Sequence, residues 1–361
     1  MTQSTKPHML ITRILLLIYL PLFFSTLASA QKPETQLNGF GHLEFTLNQQ
    51  DETNSYFTIG EHDFFVTSKL RKNISFLGEY VFRFGSGSYL PSIERSLIKF
   101  NYKGNHSIIA GKLHTPVNYW NDTYHHGRLF FPTIDRPLAF TYFIPLHTLG
   151  VQLQGQNLGK LNFGYDVVVG NGIQSTDVKQ NDPQFSVTAA VHIKPVDNLR
   201  IGLAYNKDYL STNTPGVHSG HLPIYQHYSG PIYSGAVDFQ LGTFSLAYFA
   251  DKFEFLSESS MNVTRTDSLG QANNFSSFLY SGYRLKDHHV PFLFADYVYV
   301  AENDLYTHQL EIIKFGLGYK YEFNHLINVK TIFEYEHLLD GHNEHGKHNR
   351  LGVRLQLAYG F

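Results

Sequence analysis

The stretch His348-Asn349-Arg350-Leu351-Gly352-Val353-Arg354-Leu355-Gln356-Leu357-Ala358-Tyr359-Gly360-Phe361 decides how the chain is read. Leu351, Val353, Leu355, Leu357, Tyr359 and Phe361 share one parity, and Arg350, Gly352, Arg354, Gln356, Ala358 and Gly360 share the other. Side chains alternate faces along a strand, so this segment has one wholly apolar face and one polar or very small face. A soluble sheet with one buried face has the same pattern. What favours a different reading is that the strand runs to an aromatic last residue, Phe361, with no polar tail.

Here the sequence resembles the Gram-negative outer-membrane β-barrels, whose final strand ends in Phe with apolar residues at alternate positions before it. The resemblance implies an all-β fold, a transmembrane antiparallel β-barrel in the lipid bilayer of a bacterial outer membrane. It also implies that the last strand is read by the barrel-assembly machinery and closes onto the first.

At the other end, residues 1–30 read as a secretory signal. Lys6 and Arg13 give a positive n-region, Ile14 to Phe24 an apolar stretch, and Ala28-Ser29-Ala30 a cleavage site. That stretch is shorter than the about 20 residues of a spanning helix. The expected division is a signal peptide over 1–30 and a single barrel domain over 31–361. A mean hydropathy of −0.22 would ordinarily argue for a soluble protein but does not exclude a barrel, because half of each spanning strand faces a polar lumen. The 24 Tyr and 30 Phe against a single Trp suit aromatic girdles at the membrane interfaces. Cysteine is absent, so no disulfide or thiolate-metal framework exists. A net charge of −2 without a basic patch argues against nucleic acid as a partner.

From Leu37 onward the alternation supports about sixteen strands of roughly ten residues or more, with no helical periodicity between them. The clearest are 37–47, 161–170, 185–194, 199–206, 313–323 and 327–337. Less regular ones fall at 56–70, 74–85, 91–102, 106–113, 147–155, 231–241, 243–255, 275–286 and 290–300. Short connections are expected at 71–73, 103–105, 156–159, 195–198, Leu241-Gly242, 286–287 and 324–325. Long polar ones are expected at 48–55, 86–90, 114–146, 171–184, 207–230, 256–274, 301–308 and 338–349. Short turns on one side and long loops on the other are the layout of an outer-membrane barrel. Each unpaired backbone group in hydrocarbon costs several kcal/mol, so a spanning sheet must close. About sixteen strands leave water inside, whereas about eight are filled by their own side chains. The alternative, two secreted sandwich domains of roughly 7–9 strands each, needs a boundary that the sequence does not show.

The longest connection, 114–146, is aromatic-rich and holds the sole Trp, so it reads as ordered and functional. The run Gly-Lys-Leu-His-Thr-Pro-Val-Asn-Tyr-Trp-Asn-Asp-Thr-Tyr-His-His-Gly, 111–127, with Thr133-Ile134-Asp135-Arg136-Pro137, resembles the segment after the corresponding strand in general porins and in the phosphate-selective porin group. The resemblance implies a long third external loop folded into the lumen, passive diffusion of small hydrophilic solutes, and the homotrimer common among porins. It carries no family ligand residues onto this chain one by one. An inward loop would place Asp122, His125, His126, Arg128, Asp135 and Arg136 at the narrowest point, where fixed charges select permeants. Alternatively, Asp122 and Arg128, or Asp135 and Arg136, would pin the loop to the wall by ion pairs and hydrogen bonds. Both readings stay open.

The inward parity of the clear strands carries Glu44, Asp166, Lys194, Arg200, Lys314, Lys320, Lys330, Glu334, Glu336, Arg350 and Arg354. Lys314, Lys330, Arg350 and Arg354 lie on three successive strands and would form a basic wall leaning to anions. Glu334 and Glu336 sit among them, so a cross-strand ladder of paired charges is an equal reading. Among the 20 histidines, His337, His342, His345 and His348 lie near Asp340 and Glu344, and His218, His221 and His227 form a second group. Imidazoles beside carboxylates can bind zinc, copper or nickel, although Gly and Asn between them argue against fixed geometry. Metal-binding loops, and an adhesin or structural barrel with a plugged lumen, are the alternatives to a porin. Without a Gly-x-Ser-x-Gly elbow, a His-Glu-x-x-His helix or a phosphate loop, the chain is expected to have no cofactor and not to be an enzyme.

Overall fold

The structure, a computed structural model, describes residues 33–48, 55–85, 88–124, 128–211, 236–267, 269–304, 310–341 and 349–361. The signal expected over 1–30 lies outside the described residues. Sixteen strands follow one another: β1 (Glu34–Asn48), β2 (Tyr56–Arg71), β3 (Ile74–Gly85), β4 (Ser88–Lys103) and β5 (His106–His114). Two short helices, α1 (Tyr119–Thr123) and α2 (Ala139–Tyr142), precede β6 (His147–Leu158), β7 (Phe163–Gly170), β8 (Ser186–Ile193) and β9 (Leu199–Ser211). The chain continues through β10 (Ala236–Phe249), β11 (Phe253–Thr266), β12 (Gly270–Tyr283) and β13 (His289–Val300). It ends with β14 (Leu310–Asn324), β15 (Ile327–Gly341) and β16 (Asn349–Gly360). Each strand pairs antiparallel with its sequence neighbour, and β1 pairs with β16, so the sheet is a closed barrel.

The seam runs from Phe40 opposite Gly360 to Asn48 opposite Gly352. Beyond it, the Gly39 and Phe361 backbones exchange two hydrogen bonds of 2.9 Å. The Phe361 ring crosses Gly39, where a Cβ would fall 2.3 Å from the ring, so glycine is what lets the last residue lie across the first strand. The outward parity is apolar around the barrel: Leu317 is 66% exposed, Phe333 59% and Leu355 43%. A closed sheet with apolar residues outside satisfies its backbone internally and meets hydrocarbon with side chains. No helix among the described residues is long and apolar enough to cross a membrane.

Between β9 and β13 the sequence-based boundaries need correction. A turn was expected at Leu241-Gly242, but β10 runs unbroken through both and turns at 250–252. The long loop expected over 256–274 is instead most of β11 and the start of β12, joined through 267–269. The cause is a blurred alternation. On β12 the inward residues include Phe278 and Tyr280, while the outward parity carries Ser277 and Ser281. On β11, Ser257 and Ser259 likewise face outward, and Gly242 of β10 leaves an open spot on its outer face. Alternation that places greasy residues on the lipid side misreads strands whose inner face is also apolar.

Candidate functional site

Residues 115–124 and 128–146 explain that inner apolar face, because they lie against it. The segment leaves and rejoins the wall where His114 stands opposite His147. Its neck is tied by Thr115 N–H donating to Leu146 O at 3.0 Å. Asn121 Nδ2 donates to Thr115 O at 2.8 Å and to Leu146 O at 3.1 Å. Asn118, extended at φ −154°, caps α1 by accepting from Asn121 N–H at 2.8 Å. Trp120 and Phe131, both fully buried, and Ile134, Phe140 and Phe143 of this segment join one core with Phe239, Leu256, Phe278, Tyr280, Phe294 and Ile332 of the wall. Each such side chain contributes about 1.5–3 kcal/mol on burial.

Polar groups fix the segment's register. Trp120 N–H donates to Glu258 Oε1 on β11 at 2.9 Å, and Leu138 N–H to Asp296 Oδ2 on β13 at 2.7 Å. Thr243 of β10 donates its hydroxyl to Val117 O. Asn328 Nδ2 donates to Leu129 O at 2.6 Å, and the Lys330 ammonium to Arg128 O. These partners span the inner wall from β10 to β15.

The residues expected at the narrowest point are placed as follows. Asp122 forms an ion pair with Arg200 of β9 at 2.6 Å. Asp135 pairs with Arg354, with Lys314 at 3.5 Å and with Arg128 at 3.4 Å. Both carboxylates thus meet cations of the wall, Arg200 and Arg354, and Asp135 also meets Arg128 within the segment. Burial would raise the Asp135 carboxyl, but Arg354, then Lys314, outweigh it and hold it below the usual carboxylate range. Burial lowers the Arg136 guanidinium to about 10, with Glu61 opposing and Arg128 adding, so it remains a cation at neutral pH. His125 and His126 lie outside the described residues.

On the wall, Glu334 receives Lys314 at 3.0 Å and Arg354 at 3.2 Å, Glu44 receives Arg354 at 3.2 Å, and Glu336 lies 3.9 Å from Arg350. These contacts form the ladder of paired charges rather than a uniform basic wall. Lys330 is fully buried under the inward segment. A cavity of about 630 Å³ opens here, lined by Glu44, Arg128, Asp135, Arg136, Arg350 and Arg354 among others.

A second charged group was not anticipated. On β3 and β4, Arg83 pairs with Glu94 at 2.8 Å and Arg95 pairs with Glu79. Each carboxylate also meets a neck histidine: Glu94 meets His147 at 2.9 Å, and Glu79 meets His114 at 3.7 Å. Register was the missing signal: in β3–β4 a bulge between Glu79 and Tyr80 shifts parity midway. At the short-turn end of the same side, a cavity of about 510 Å³ is lined by Lys69, Arg71, Lys72 and Lys99, with Glu34 as its carboxylate. Of the expected metal group, His337 lies on β15 with its ring bonded to the Asn349 side chain. His342, His345 and His348 lie outside the described residues, as do His218, His221 and His227. Among the described residues no set of three metal-ligating side chains converges.

No family model matches the sequence, and no curated protein matches it. Solved structures match its shape. An anion-selective porin from Comamonas acidovorans has a TM-score of 0.64 at 11% identity, over 91% of this chain and 100% of that one. OmpF of Salmonella typhi, in a complex with daunomycin, has a TM-score of 0.62 at 10% identity, over 91% and 97%. OmpT, an outer-membrane protein of Vibrio cholerae in a trimer form, has a TM-score of 0.60 at 11% identity, over 92% and 100%. The expectation that the chain is not an enzyme is corrected by this result. OmpT and the porins share one barrel with this chain at 10–12% identity, and a shared fold does not decide whether a site is catalytic. What the likeness and the apolar outer band establish together is a porin-like barrel of the bacterial outer membrane.

Proposed function

We propose that the protein is a diffusion channel for small hydrophilic solutes, with anions favoured over cations. Uneven filling of the barrel carries this reading. The inward segment packs its apolar side on β10–β15, while the cavities of about 630 and 510 Å³ lie beside it, toward β16 and β1–β4, each with several charged side chains in its lining. In the first cavity both signs are nearly balanced; in the second, four cations face Glu34. Fixed charge in a low-dielectric mouth concentrates counter-ions, so the short-turn end favours anions. The resemblance of 111–127 to phosphate-selective porins fits small oxyanions among them. In this reading Asp122, His125, His126, Arg128, Asp135 and Arg136 shape the constriction. Export through a signal over 1–30, assembly through the strand ending at Phe361 and a homotrimer belong to the same proposal.

Planar-bilayer recording under a tenfold KCl gradient tests it. Steady current steps with a reversal potential of anion sign are expected, shrinking as salt screens the mouth. A second reading, a barrel with a plugged lumen, is favoured by the fully buried Trp120 and Phe131 of the inward segment. The same recording separates the two, because a plugged barrel gives no steps.

A further inference from the structure

Beneath α1, at the short-turn end, a third cavity of about 440 Å³ lies between the inward segment and β8–β10. Its aromatic wall is Tyr119 and Phe249, stacked with ring centroids 6.1 Å apart and planes 14° from parallel. Its polar wall is Lys194, Arg200, His192 and Asp122. The Arg200 guanidinium lies 5.3 Å over the Tyr119 ring and is neutralised by Asp122 at 2.6 Å. Arg200 Nη2 also lies 3.3 Å from His192 Nδ1. A guanidinium only donates, so Nδ1 accepts, and the neutral ring carries its proton on Nε2.

That Nε2–H has no hydrogen-bond partner, although His192 is 4% exposed. A buried donor without an acceptor is unfavourable, and a ligand supplying the acceptor removes that penalty. The ring has room to lie flat because Gly164 stands across the ladder; a Cβ there would fall 2.3 Å from Nε2. Lys194 contributes a second donor, whose nearest hydrogen-bond acceptor is Asn157 Oδ1 at 3.5 Å. With Arg200 and Asp122 cancelling, Lys194 leaves the cavity with one net positive charge.

We propose that this cavity is a binding subsite for a small aromatic carboxylate. The carboxylate accepts from His192 Nε2–H and Lys194, and the ring lies against Tyr119 and Phe249. The subsite adds a solute class to the channel reading and rests on it only for the solute's route. Isothermal titration of the purified full barrel in detergent with sodium benzoate tests it, with benzyl alcohol as the uncharged probe of the same body. Saturable benzoate binding is expected, weakened at least tenfold in Lys194→Gln and in His192→Phe, with no saturable binding of benzyl alcohol. Lys194→Gln alters a half-exposed side chain and keeps the test decisive if His192→Phe fails to fold. No saturable benzoate binding, equal binding of benzyl alcohol, or benzoate binding unchanged in Lys194→Gln overturns the subsite. A barrel that binds benzoate and carries no current overturns the channel and leaves the subsite standing; a conducting barrel that ignores benzoate does the reverse.

Discussion

The inner wall has two unlike regions. From β10 to β15 it presents Phe239, Leu256, Phe278, Tyr280, Phe294 and Ile332 to residues 115–146, and the contact is a protein core. From β16 through β1 to β4 it presents Arg354, Glu44, Glu79, Arg83, Glu94 and Arg95, cross-linked by ion pairs and flanked by cavities. The difference shows that a loop inside a barrel needs its own hydrophobic surface to stay there. Apolar burial holds it on one side, so the other side can remain charged and hydrated. The carboxylates of Glu258 and Asp296, reached by backbone N–H groups, set where along the wall it sits.

The comparison breaks most readily at its apolar side. Trp120→Ala removes a fully buried indole and is expected to cost about 3–5 kcal/mol. In urea unfolding from detergent the midpoint should fall, and single-channel records should show larger, noisier steps as the segment loosens. Next in size, Leu355→Arg places a cation on the lipid face, expected to cost about 2–4 kcal/mol near mid-bilayer. Refolding yield into vesicles should drop, whereas Arg350→Leu, at an inward and exposed rim position, should change it little. Equal losses from both would reverse the assignment of faces.

On the charged side, Arg354→Gln leaves Asp135, Glu334 and Glu44 without the cation they share. The expected cost is about 3 kcal/mol, the lower end for breaking a buried pair, with the reversal potential moving toward cations. Glu258→Gln keeps an acceptor for Trp120 N–H and loses only its charge, at about 1 kcal/mol, read as a small shift of the urea midpoint. The smallest effect is one of pH. The Asp135 carboxyl is held below its ordinary range by Arg354. Its contribution is therefore complete above the ordinary value of about 4 and is lost only as pH falls through the lower folded value. Between pH 7 and 5 this anchor should not weaken, and the difference in unfolding midpoint between wild type and Asp135→Asn should stay constant.

These regions were not equally legible in the sequence. On β14–β16 polar residues, Lys314, Lys330, Glu334 and Arg354 among them, fill one parity, so the alternation reads plainly there. On β10–β12 large apolar residues such as Phe239, Leu256, Phe278 and Tyr280 point inward, while the outward parity carries Ser257, Ser259, Ser277 and Ser281, and the strand boundaries slid there. The pairings of the inward segment were not legible because they are non-local. Asp122 meets Arg200 78 residues away, and Asp135 meets Arg354 219 residues away, distances over which no local pattern carries information.

Cysteine accessibility tests the division of the lumen most directly, since the native chain has no cysteine. Leu97 is an inward, half-buried residue of β4 lining the short-turn cavity, and Ser276 is an inward residue of β12, 3% exposed beside the core. In a planar bilayer, a membrane-impermeant charged methanethiosulfonate reagent should cut the current through Leu97→Cys within seconds and leave Ser276→Cys unchanged. Equally fast block at both positions, or block at Ser276→Cys alone, would contradict a segment seated on β10–β15 with the conducting path on the charged side.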